Sequence, residues 1–207
     1  MAITQTHSRM VSDVDAGSTY IQGTLGTSAN NVVQLDGTAK LPAVDGSALT
    51  NMSAGGKVLQ VQHTVVTAAT FTTTSTSWTD LTGMTVSITP ATTGSKILLT
   101  ANFSFDTSST TNFAAFKALR DSTDLSVGDA ASSRVQCALW GASYSNQATV
   151  NRSMTWLDSP STTSATVYKL QIQMDAGTFY FNRTNTDTDN ASFPRTISTI
   201  TATEIGA

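Results

Sequence analysis

Glu204 is the only glutamate in this chain of 207 residues, and lysine and arginine together number 11. Helices draw on Glu, Lys and Arg to fill their exposed faces, so a chain this poor in them has little from which to build a helical surface. Its exposed positions must be filled by serine and threonine, about three residues in ten, against far lower ordinary usage. Hydroxyl and β-branched side chains suit strands and turns. The expectation is an all-β protein.

The distribution of apolar residues divides the chain into three parts. Residues 1–25 form a polar leader too poor in apolar groups to build a core. Its isolated Ile3, Met10 and Tyr20 read as anchors that dock on a larger partner. Residues 26–56 read as an extended stalk. Within it, Gly37, Pro42 and Gly46 break any helix, and Asp36-Gly37 and Asp45-Gly46 are turn signals nine residues apart. A lone ribbon of this kind is marginal in water. Its Val33, Leu35, Leu41, Val44 and Leu49 therefore need partners, most economically identical chains wound about one axis. Fully extended, residues 31–52 span at most roughly 70 Å. Ser53-Ala54-Gly55-Gly56 reads as a joint.

From Lys57 onward the pattern is that of a folded head, residues 57–207. Leu59, Val61, His63 and Val65 alternate with Gln60, Gln62 and Thr64, which predicts a half-buried strand with a packed His63. The clearest strand has Ile97, Leu99, Ala101, Phe103 and Phe105 on one face. Ala148, Val150, Arg152, Met154 and Trp156 predict another, and Tyr168, Leu170, Ile172 and Met174 a third. Asp175-Ala176-Gly177 reads as a tight hairpin, with Phe179 and Phe181 on the return strand. Residues 196–205 form the last strand. Nine or ten strands with turns every ten to fifteen residues describe an antiparallel sandwich or jelly roll.

Little in the sequence points to catalysis or metal. Of two histidines, His7 lies in the leader and His63 on a strand, and no serine stands in G-x-S-x-G. Asp121, Asp124, Asp129, Asp158 and Asp175 fall at turns, so they offer no carboxylate pair for glycan cleavage. Asn185, Asp187 and Asp189 imitate the start of a calcium loop. The sixth and twelfth positions are Asn190 and Thr196 where glycine and glutamate belong. A solvated loop with Asp187 or Asp189 paired to Arg183 or Arg195 is expected instead, with no cofactor and no metal. Cys137 is the lone cysteine and reads as a small buried hydrophobe. A formal charge of -3 without a basic run argues against nucleic acid. No apolar run reaches the ~20 residues of a membrane span, and no signal-peptide core opens the chain. The chain is expected not to be an enzyme. Binding is expected at loops 106–112 and 141–147, with Asp106, Asn112, Tyr144 and Asn146 as candidate contacts. Trp78, Trp140 and Tyr144 are also candidates for a sugar platform, the tryptophans having core packing as their alternative.

Three stretches carry a resemblance. NVVQLDGTAKLPAVDGSALTNM resembles the linker that precedes the head domains of bacteriophage fibre proteins. GKVLQV, SITPATTGSKILL and FNRTNTDTDNASFPRTISTITATEI resemble a phage-borne jelly-roll head, similar in topology to tumour-necrosis-factor and C1q heads. The leader TQTHSRM looks like the starts of some phage fibres and spikes. The resemblance implies a homotrimer, with Tyr180, Phe181 and Phe193 at its axis or in its core. It implies a virion protein, assembled in the host cytoplasm, whose leader docks on the tail or baseplate and whose head touches a host surface glycan or protein. The alternative is a capsid decoration or head fibre with a purely structural role.

Overall fold

A computed structural model describes residues 56–145 and 148–206. The leader and stalk positions Ile3, Met10, Tyr20, Val33, Leu35, Leu41, Val44 and Leu49, and the loop residue Asn146, lie outside the described residues. The rest is all-β, as the scarcity of helix formers predicts. The strands are β1 (Val58–Val66), β2 (Thr72–Thr73), β3 (Thr79–Ile88), β4 (Lys96–Thr107), β5 (Ala114–Arg120), β6 (Thr123–Asp124), β7 (Leu139–Gly141), β8 (Val150–Asp158), β9 (Thr166–Met174), β10 (Phe179–Phe181) and β11 (Ser198–Ile205).

Two antiparallel sheets pack face to face. β4 is the spine of the first: β8 pairs along one edge, and β11 and β10 share the other. β1 extends the sheet beyond β11, and β2 extends it beyond β10. The second sheet runs β3-β9-β5, with β6 and β7 sharing the far edge of β5. Alternation along β4 sends Ile97, Leu99, Ala101, Phe103 and Phe105 inward, all fully buried. Tyr168, Leu170, Ile172 and Met174 of β9 meet them from the other sheet. Aromatic rings join the layers. Phe116 of β5 lies 4.7 Å from Phe103, 5.1 Å from Phe105 and 5.8 Å from Phe179, centroid to centroid.

One strand presents the face opposite to expectation. In β1, Val61 and Val65 are 54% and 50% exposed, and Leu59 is exposed beside them. His63 is likewise exposed, its Nδ1 2.7 Å from Thr201 Oγ1, and is not a packed core histidine. The cause is the pairing with β11, which sets Gln60 opposite Glu204 and Gln62 opposite Ala202. Glu204 is fully buried. Its carboxylate accepts hydrogen bonds from Gln60 Nε2 at 2.6 Å and from the Ala91 amide at 2.7 Å. A buried carboxylate demands donors, so Gln60 must face inward, and strict alternation then turns Val61 and Val65 out. Burial alone would raise the Glu204 pKa, but hydrogen bonds from Ser95, Gln60 and the Ala91 amide outweigh it and hold the carboxyl below the ordinary glutamate range.

Two further expectations are corrected. Asp175-Ala176-Gly177 does make a turn, but β9 and β10 are not a hairpin: β9 belongs to the second sheet and β10 pairs with β4 in the first. Turn chemistry bends the chain without choosing its partner. Asp158 is not a turn residue in solvent. It is buried at the end of β8, where Arg120 Nη1 donates to both its oxygens at 2.9 Å and the Tyr168 hydroxyl donates at 2.7 Å. Burial, and then Asp158 itself, push the Tyr168 phenol far above its ordinary range.

Truncation of Phe116 removes the ring common to both layers. Phe116→Ala is expected to lower stability by about 3–5 kcal/mol in denaturant titrations; a loss under ~1 kcal/mol would show that the sheets are held elsewhere. Glu204 tests the other end. A carboxyl with a lowered pKa in the fold contributes stability above the ordinary glutamate range and loses it as pH falls through the lowered value. Glu204→Gln is therefore expected to destabilise by roughly 2–3 kcal/mol at neutral pH and to flatten the acid limb of the melting curve. Parallel acid limbs in the two chains would exclude this role.

Candidate functional site

Gly56 and Gly206 mark one end of the sandwich, where the Gly56 amide donates to the Gly206 carbonyl at 3.1 Å and the Gly206 amide to the Lys57 carbonyl at 2.8 Å. The opposite end is built from the connections after β4, β7 and β9. Both loops singled out from sequence lie there and touch. The Ser143 amide donates to Thr107 Oγ1 at 3.2 Å, and Thr107 Oγ1 donates to the Ser109 carbonyl at 2.9 Å. Residues 108–113 are braced from below by the turn after β9. The Ser108 amide donates to the Thr178 carbonyl and the Thr178 amide to Ser108 Oγ, both at 2.9 Å. The Phe113 amide donates to Asp175 Oδ1 at 2.7 Å.

This bracing leaves a rim of aromatic rings. Trp140 stacks on Phe113 with centroids 5.7 Å apart and planes 10° from parallel. Trp140 is still 46% exposed, and Tyr144 is 80% exposed. Between them stands Gly141, where a Cβ atom would lie 3.2 Å from Arg152 Nη2. The Arg152 guanidinium carbon is 6.0 Å from the centre of the Tyr144 ring, and Nη1 donates to the Asn151 carbonyl at 3.1 Å. Among the described residues no carboxylate pairs with Arg152.

The sequence candidates separate on this geometry. Tyr144 is on the rim. Asn112 is half-buried and holds the loop, its Nδ2 donating to Ser108 Oγ at 2.9 Å. Asp106 is corrected: it is fully buried, its oxygens accept the Thr107 and Asn185 amides at 2.7 Å, and it cannot be a surface contact. Alternation puts Asp106 on the outer face of β4, but residue 185 covers it. Trp78 is half-buried, with Lys117 Nζ 4.7 Å above its ring, so packing accounts for it. Phe181 is a fully buried core ring edge-on to Phe71. Tyr180 faces outward and carries the Arg183 guanidinium at 4.6 Å. Phe193 lines a shallow cleft of about 400 Å³ with Asp187, Asp189 and Arg195. There the Arg195 guanidinium donates to both oxygens of Asp187, the pairing expected for a solvated loop. Among the described residues no three His, Cys, Asp or Glu side chains gather to hold a metal. Sequence reasoning did not single out Phe113 or Arg152 for the site. The available signal was Arg152 itself, a cation on a strand face otherwise made of Ala148, Val150, Met154 and Trp156.

The scaffold under the rim depends on Gly177. Its φ is +70°, and an added Cβ would sit 1.8 Å from Asn112 Nδ2 and 2.5 Å from Ser108 Oγ. Gly177→Ala is expected to displace Asn112 and lower stability by roughly 1–3 kcal/mol. Hydrogen exchange of the Ser108 and Phe113 amides should rise with it, and unchanged exchange would show that the turn does not support the loop.

No family model matches this chain, and no curated protein matches it significantly.

Proposed function

We propose that the chain is a virion structural protein, a homotrimeric phage tail fibre whose head meets the host surface. The observation that carries the reading is the outer face of the first sheet. From β1 across β11 to β8, and from Leu98 to Ser104 of β4, the outward positions hold no Asp, Glu, Lys or Arg. Val61, Val65 and Leu157 (52% exposed) lie on it among threonines, serines and asparagines. The second sheet differs: its outer face carries Asp80 paired to Lys169 at 2.8 Å, with Gln171 beside them. An uncharged face with exposed valines and leucine, on a domain with a filled core, is the surface that other copies would cover.

Two things support the fibre reading. The two antiparallel sheets, with β1-β11-β4-β8 in one and β3-β9-β5-β6 in the other, form a β-sandwich of the kind a jelly-roll head would require. The motifs at 31–52 and 181–205 resemble phage linkers and heads. On this reading residues 1–25 dock on the tail or baseplate, residues 26–56 space the head away, and the end bearing Tyr144 contacts a surface glycan or protein. The protein acts by binding, without catalysis, and avidity across copies offsets weak single contacts.

Light scattering on the full chain tests the assembly. A trimer is expected, and Val61→Glu combined with Val65→Glu should yield a folded monomer, since three buried copies of each new charge repel. A monomeric wild type would sink the reading. Competition between the purified protein and virions for host cells tests the attachment role. Gold labelling spread over the capsid, with no competition, would favour the head-fibre alternative.

A further inference from the structure

We infer that Trp140, Tyr144 and Arg152 form a binding site for an acidic saccharide, a short chain of pyranose rings bearing carboxylates. The inference rests on the receptor-contact reading of this end and names its ligand class. Each element of the site does something that packing does not require. Trp140 is held by Phe113, which fixes its plane, and remains nearly half exposed. A large ring pinned this way loses little entropy when a ligand stacks on it. Tyr144 is the most exposed large apolar side chain among the described residues. It lies four positions on, at most roughly 14 Å away along the chain, a distance that a short oligosaccharide bridges. Two rings set apart in a Ser/Thr/Asn-rich rim suit the apolar C–H faces of sugars, whose hydroxyls remain in water.

Arg152 decides the sign of the ligand. It projects from β8 beside Gly141, and the missing Cβ there leaves room for its guanidinium next to the strand that carries Trp140. It has one backbone acceptor and one aromatic neighbour, and no carboxylate among the described residues. Two other cations differ: Lys169 is matched to Asp80 and Arg195 to Asp187. A partly desolvated guanidinium without an anion is suited to pair bidentately with a carboxylate, and a uronic or similar sugar acid supplies one between two stacked rings.

Calorimetric titration of the full chain tests this, with tetramers of galacturonate, hyaluronan and sialic acid set against maltotetraose and cellotetraose. Saturable binding is expected, with at least one acidic tetramer preferred to the neutral ones by about tenfold. Trp140→Ala and Tyr144→Ala should each weaken it by about tenfold or more, while Trp140→Phe, which keeps a ring, weakens it less. Arg152→Gln should abolish the acidic preference. Melting curves matching wild type show that the variants fold. No saturable binding to any tetramer, equal affinity for acidic and neutral chains, or indifference to all three substitutions would each overturn the proposal. Host-cell adsorption by the same proteins separates the two readings. Wild-type adsorption unaffected by the variants, with no saccharide binding, removes this site but keeps the attachment role. Adsorption lost in the variants without saccharide binding points to a protein receptor and overturns the saccharide assignment. Saccharide binding with no adsorption keeps the site and removes the attachment role.

Discussion

The contact of Phe116 with Phe103, Phe105 and Phe179 is the interaction on which the rest of the structure depends. It is the aromatic bridge between the sheets: Phe116 comes from β5, and its three partners come from β4 and β10. Around it the rings of Phe71 and Phe181 continue the cluster across β10 toward β2. The loops of the end that carries Trp140 and Tyr144 spring from strands whose positions this cluster sets. A rim of exposed rings can be rigid because its roots are packed to the density of a core. A chain with only 12% charged residues can fold because six of its eight phenylalanines are gathered in one place.

Buried carboxylates complete what the rings begin. Glu204 aligns β1 on β11 and receives the chain turning between β3 and β4. Asp158 ties β8 to Arg120 of β5 and Tyr168 of β9, across the two sheets. Asp106 joins β4 to the long connection before β11. Each is fully or nearly excluded from water and surrounded by donors, so each specifies one arrangement and penalises others. The consequence reaches the surface. By drawing Gln60 inward, Glu204 exposes Val61 and Val65, and the exposed valines on the uncharged face that supports the trimeric reading follow from one acidic residue in the last strand.

The candidate site was only partly legible. Tyr144, in a Gly/Ser/Asn loop with no apolar alternation, read as exposed and is. Asp106 read the same way, counted as the start of a polar loop, and is wholly buried at the end of β4. A strand's parity gives a residue's side but not what later chain lies over that side. Arg152 escaped notice for the opposite reason. It occupies an inward position, and its path to the rim depends on Gly141 of a neighbouring strand, to which it is joined only by the fold.

From its residues alone this chain is bound to be all-β, with a spine at 97–105 and turns where Asp, Gly and Pro cluster. Those outcomes follow from local chemistry: alternation, φ preferences and the absence of helix-building side chains. Tertiary structure alone decided that β9 and β10 belong to different sheets, that β1 shows its valines to solvent, and that Phe113, Trp140, Tyr144 and Arg152 meet at one end. Pairing across long stretches of chain is chosen by which buried groups satisfy one another. A carboxylate at 204 and an amide at 60 are 144 residues apart until the sheet brings them together.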